Sequence, residues 1–243
     1  MAGETARTDA ICLAISPWSR TSHVVRWLTP NGPLATVVKG AVRPKSAFLG
    51  QYDLNYTCDI VYYAGSRGEL HALRECAPVA LREGLRGDFR ALALADHFRS
   101  LAQTLAPSGP DGRDWFALLA SALDGLLPGR DAAGSLLDRM IAFELGALRL
   151  AGLAPDFSGC AAPYSEFSVD TGSFSPSGVR KLRIASETAE YLLTGKAKNP
   201  TTPLDAARVI GVFYSFHLDI PPDIRRIVVK LISPTNGEGK QDG

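Results

Sequence analysis

The sequence predicts an α+β chain, with a small five-stranded β-barrel over residues 1–78 and an all-helical domain over 79–233. Runs rich in β-branched and aromatic residues, punctuated by Gly, Pro and Asn, crowd residues 8–77. From Asp88 onward the apolar residues recur at i, i+3 and i+4, which is the period of a helix. A length of 243 residues, with 46% hydrophobic and 21% charged, allows a packed core and excludes disorder over most of the chain. The polar residues 234–243 read as a disordered tail.

Residues 10–15 are apolar on both faces and form the first strand. Residues 22–28 and 34–38 make a hairpin around Thr29-Pro30-Asn31-Gly32-Pro33, where Asn-Gly supplies the positive φ of a tight turn. Residues 52–63 and 69–77 make a second, around Ala64-Gly65-Ser66-Arg67-Gly68. Five strands with a loop at 40–50 between the third and fourth suit an OB-type barrel, although SH3-like barrels share the count. In the helical part, Phe89, Leu92, Phe98, Leu101, Ala102 and Leu105 form one stripe, ended by Pro107-Ser108-Gly109-Pro110. Asp114 is the N-cap expected for a helix over 115–127. The helix over 134–151 is apolar on nearly every side, which marks a central helix, and Gly152 closes it. Residues 155–178 read as loop, and helices follow over 186–193 and 204–218.

Charge is distributed unevenly. The 26 basic and 25 acidic residues leave a net charge of only +1, yet no acidic residue lies between Asp9 and Asp53. That interval holds Arg20, Arg26, Lys39, Arg43 and Lys45, a block whose field no neighbouring carboxylate cancels. Trp18, Trp27, Phe48, Tyr52 and Tyr56 accompany it. Cations that track phosphates beside aromatics that stack bases are how OB barrels hold single strands. The competing reading makes the block a solvated face and Trp27 and Tyr56 barrel core. Trp18, ahead of a turn, is the better stacking candidate, and Phe48 serves equally as a loop anchor. Two smaller clusters, Arg180, Lys181 and Arg183, then Arg225, Arg226 and Lys230, read as solvated faces.

Several function classes find no support. No nucleotide-binding glycine motif or nucleophile elbow occurs, the four histidines have no i, i+4 pair, and the four cysteines form no C-x-x-C. Cys12, Cys58 and Cys76 fall in predicted strands as small core residues. Glu144 interrupts the apolar helix and is expected to pair with an Arg such as Arg139 or Arg149. No stretch has the length of an apolar membrane span, and residues 1–10 lack the core of a signal peptide, so a cytoplasmic protein without membrane contact is expected. A DNA-binding module, an RNA- or ribosome-associated module and a protein-only scaffold all remain open. An enzyme is not expected.

Several stretches resemble the RecO recombination-mediator and DNA-repair proteins of bacteria. Ser22-His23-Val24-Val25-Arg26-Trp27-Leu28-Thr29-Pro30 is similar to the family's second strand, and Lys39-Gly40-Ala41-Val42-Arg43-Pro44-Lys45-Ser46 to its K-G-A-x-R-x-K-S loop. Leu70, Leu73, Arg74 and Glu75 resemble the last barrel strand; Phe143-Glu144-Leu145 with Gly152, Pro155 and Cys160, then Tyr214, His217 and Leu218, continue the likeness in consistent order. The resemblance implies binding to single- and double-stranded DNA, annealing of complementary strands, and partnership with SSB through its C-terminal tail and with RecR, helping to load RecA. It also implies a four-cysteine zinc site, of which this chain keeps Cys160 alone; Pro163, Ser175 and Gly178 stand about where the others belong. Tetrahedral structural zinc needs four ligands, so no cofactor is expected, and Phe157, Tyr164, Phe167 and Phe174 are expected to hold the loop. The Asp219-Ile220-Pro221-Pro222-Asp223 segment departs from the family ending.

Overall fold

The computed structural model describes residues 4–64, 70–109, 111–129, 134–161, 163–218 and 222–233. The hairpin tip at 65–69, most of the 219–223 segment and the tail at 234–243 lie outside the described residues.

β1 (Thr5–Ser19) is much longer than its apolar centre because it serves two partners. Its first half pairs with β4 (Thr57–Tyr63) and its second half with β2 (Ser22–Thr29), both antiparallel. Irregularities at Cys12/Ala14 and Pro17/Ser19 interrupt its register with β2 and bend it there. β3 (Gly32–Val38) pairs antiparallel with β2 and parallel with β5 (Leu70–Ala80), which returns to β4. The resulting order β1-β2-β3-β5-β4 is a closed barrel, which leaves no sheet edge to aggregate. Ala10, Cys12, Val25, Trp27, Val38, Cys58 and Ile60 fill it completely buried. Trp27 donates its indole N–H to Thr36 Oγ1 at 2.9 Å, so the largest core side chain keeps its polar atom satisfied. Burial pushes the Cys12 thiol up, away from the thiolate a nucleophile needs.

A 3₁₀ turn (Glu83–Gly87) leads to α1 (Phe89–Leu105) and α2 (Gly112–Gly125). Of the stripe expected on α1, Phe98, Leu101 and Ala102 are buried, whereas Phe89 and Leu92 at its start are exposed. Asp114 lies in the first turn of α2, one turn inside the end it was expected to cap, and the N-cap is Asp111. Gly32 is where α2 meets the barrel. It has a φ of +94°, and a Cβ there would lie 2.3 Å from Pro107 O. Arg82 ties the same region together, donating to Asn55 O, Thr57 Oγ1 and Asp124 Oδ1 at 2.7–2.8 Å.

The chain divides into two compact units, residues 1–89 with 95–130, and residues 90–94 with 131–243. The change of period near residue 78 marks where strands give way to helices, while the unit that holds the barrel also takes in α2 and most of α1. In the second unit α3 (Leu136–Leu150) begins at a reciprocal cap between Ser135 and Asp138. Residues 155–178, expected to be loop, contribute β6 (Tyr164–Ser168), which pairs antiparallel with β7 (Lys181–Ala185). Alternation in so short and polar a strand is too weak to read. α4 (Ser186–Thr194) and α5 (Thr202–His217) follow as expected. α6 (Pro222–Ile232) begins at Pro222, a residue that at the first helical position starts a helix as readily as it ends one, so the sequence alone does not mark it.

Candidate nucleic-acid interface

Trp18 ends β1 and Arg20 occupies the β1–β2 turn; Arg26 points outward from β2, opposite Ala35 of β3. Lys39, Arg43 and Lys45 lie on the loop after β3. All six side chains are exposed, Trp18 by 61%, and among the described residues no carboxylate pairs with any of the five cations. The loop folds back onto the turn: Val42 N–H donates to Thr21 O at 3.3 Å and Gly40 N–H to Ser22 Oγ at 3.2 Å. Lys39 and Arg43 are thereby held beside Arg20 at one end of the barrel. Gly40, at a φ of +67°, lets the Arg43 side chain lie across it.

The aromatics separate by burial. Trp27 and Tyr56 are core, as the competing reading had it. Phe48 is half-buried against the barrel core and anchors the loop. Tyr52 also packs there, its hydroxyl 2.8 Å from His23 Nδ1, and burial pushes its pKa up to about 12. Trp18 is left as the exposed ring of the set. It shares with Arg26 a groove of about 620 Å³ on the outer face of β2, β3 and β5, lined also by Leu34, His71 and Gln103. That face and the β1–β2 loop are the ligand surface of OB barrels. His71 and Gln103 carry no signal in the sequence that would single them out, because only closure of the barrel and docking of α1 bring them to Trp18.

The second unit holds another basic groove, of about 570 Å³ along α5 and α6. Arg180, Arg208, Arg226 and Lys230 surround an apolar floor that includes Val212 and Val229. Arg225, expected on a solvated face, is buried instead: its guanidinium meets both oxygens of Glu144 on α3, at 2.8 and 2.7 Å. Glu144 thus meets an Arg, as expected, and one such Arg comes from α6, which lays Arg225 against the buried carboxylate of α3. Gly211 on α5 makes room, since a Cβ there would come within 2.5 Å of Arg225 Nη1.

The loop around β6 is held without the implied four-thiolate set. Phe157 stacks on Phe167 at 5.1 Å between centroids and Phe174 meets Phe167 edge-on at 5.3 Å, while Tyr164 lies exposed under the Arg183 guanidinium. Asp170 accepts from the N–H groups of Arg180 and Val179 at 2.9 and 2.8 Å, bonds that hold its carboxyl below the usual range. Gly178 has no space for a cysteine, because a Cβ there would fall 2.0 Å from Ser168 Oγ. One thiol, Cys160, does not fit a structural zinc ion.

Fold and site together define the class: an OB-type barrel with an unopposed basic face, joined to a helical unit. A family model described as "Recombination protein O C terminal" matches residues 86–225, more than half of the chain. The chain is 28% identical over 238 residues to "DNA repair protein RecO" of Anaeromyxobacter dehalogenans strain 2CP-1, covering 88% of this chain and 92% of that one. It is 29% identical over 171 residues to the protein of the same name from Roseiflexus sp. strain RS-1, covering 70% of this chain and 58% of that one. The chain belongs to the RecO family. No helix among the described residues is long and apolar enough to cross a membrane.

Proposed function

We propose that this chain is a DNA repair and recombination mediator that binds single- and double-stranded DNA on its barrel and promotes annealing of complementary strands. The observation that carries the reading is the set of five exposed cations that no carboxylate pairs among the described residues, together with the exposed Trp18. Neutralising phosphates on two strands lowers their mutual repulsion and lets bases find partners, so annealing needs neither ATP nor covalent chemistry. The helical unit supplies the protein contacts. An acidic, apolar peptide such as the SSB C-terminal tail suits the α5–α6 groove, where cations rim an apolar floor. With SSB held there and RecR as a further partner, the chain helps load RecA on SSB-coated DNA in the cytoplasm. It does so without zinc, since Asp170 and the Phe157–Phe167–Phe174 cluster hold the loop where family members place the metal.

The test is fluorescence anisotropy of a labelled single strand across salt concentrations. Each phosphate contact contributes a slope of about −0.7 in log affinity against log salt, so four of the five cations on one strand give about −3. Changing Lys39, Arg43 and Lys45 together to Ala flattens the slope by about 2 and weakens all sequences alike. An unchanged slope removes the loop from the DNA site.

A further inference from the structure

The groove beside Trp18 has features that tracking a phosphate backbone does not require. Surface cations suffice for that, whereas here about 620 Å³ opens on the outer face of the barrel, within the range of small-ligand pockets. Trp18 offers one exposed aromatic face. Ala35 and its neighbour Leu70 give an apolar floor, and Gln103 of α1 brings an amide that can both donate and accept. Arg26 adds a cation at the same groove. A flat π-face, a ring edge with paired donors and acceptors, and an attached phosphate are the complement of that lining, and one ligand carries all of them.

We infer that this groove takes one unstacked nucleobase of a single strand, with its face on Trp18, its edge toward Gln103 and its phosphate on Arg26. The inference rests on the DNA-binding reading above and adds strand discrimination to it. The five cations meet phosphates of single strands and duplexes alike. The groove adds affinity only for a strand whose bases are free, because a base stacked and paired inside a duplex cannot enter.

The experiment uses the full chain, a short single strand with 2-aminopurine at its centre, the same sequence as a duplex, and an abasic strand of equal charge. Binding of the single strand quenches the 2-aminopurine emission. Trp18→Ala removes the stacking face, and Ala35→Phe fills the floor while leaving the cations and Trp18 in place. Each weakens single-strand binding about ten-fold, the size expected for one stacked base, abolishes the quench, and lowers the ratio of single-strand to duplex affinity. The abasic strand binds the wild-type chain as weakly as the normal strand binds Trp18→Ala. If the wild-type chain binds DNA but both variants keep its single-strand affinity, or lose single-strand and duplex affinity equally, the base site is refuted and the DNA-binding reading stands. If the wild-type chain binds neither form, both are refuted.

Discussion

Replacing Arg225 by Ala takes away the guanidinium that meets both oxygens of the fully buried Glu144 carboxylate. The side chains of the pair are 10% and 0% exposed, so little water is at hand to take over. Removing one partner of such a buried pair costs about 3–5 kcal/mol. The Arg208–Asp205 pair on α5 is the internal contrast. Its side chains are 79% and 49% exposed, and Arg208→Ala should stay within about 0.5 kcal/mol of wild type. Urea unfolding followed by circular dichroism reads the difference: with a slope of about 2–3 kcal/mol per molar, Arg225→Ala moves the midpoint by about 1.5 M. The double variant Glu144→Leu, Arg225→Met removes both charges and should restore most of the loss. An Arg225→Ala cost below about 1 kcal/mol, or a double variant worse than the single one, would refute the claim that this pair joins α3 to α6.

Gly211→Ala should destabilise the chain even though alanine is the better helix former by about 1 kcal/mol, because its Cβ displaces a guanidinium pinned by Glu144. In the background of the charge-free double variant the same change becomes neutral or stabilising, as read by the same urea midpoints. Asp170→Ala should lower the midpoint at neutral pH. The backbone bonds from Arg180 and Val179 depress the folded carboxyl pKa below its ordinary 3.8, so this stability is present above that value and lost as pH falls through the folded one. The gap between variant and wild type therefore closes in acid. Treatment with a strong zinc chelator should leave the thermal midpoint unchanged, and a fall of several degrees would show that this loop holds a metal after all.

Much of the barrel was legible because its signals are local. The Asn31-Gly32 turn, the β-branched runs and the acid-free basic block each act over a few residues, and each falls on the expected element. The candidate site was partly legible for the same reason, since exposed cations stay where the chain puts them. Trp18 and Trp27 show the limit. Both are tryptophans beside the basic block, yet one is 61% exposed and the other fully buried, a split decided by which side of the barrel wall each faces. A regular period-2 reading fails at Trp18, because the irregularity between Pro17 and Ser19 breaks the alternation there.

By itself the sequence determined that a small β-barrel precedes a helical unit and that residues 10–52 carry five cations and no carboxylate. Those conclusions depend on residue type and near neighbours alone. Only the tertiary structure decided that Arg225 serves Glu144 from 81 residues away, that Gly178 sits where no side chain fits, and that His71 and Gln103 join Trp18 around one groove. These are meetings of segments far apart in the chain. They arise from how packing closes the barrel and lays α6 across α3, and no local pattern of residues encodes them.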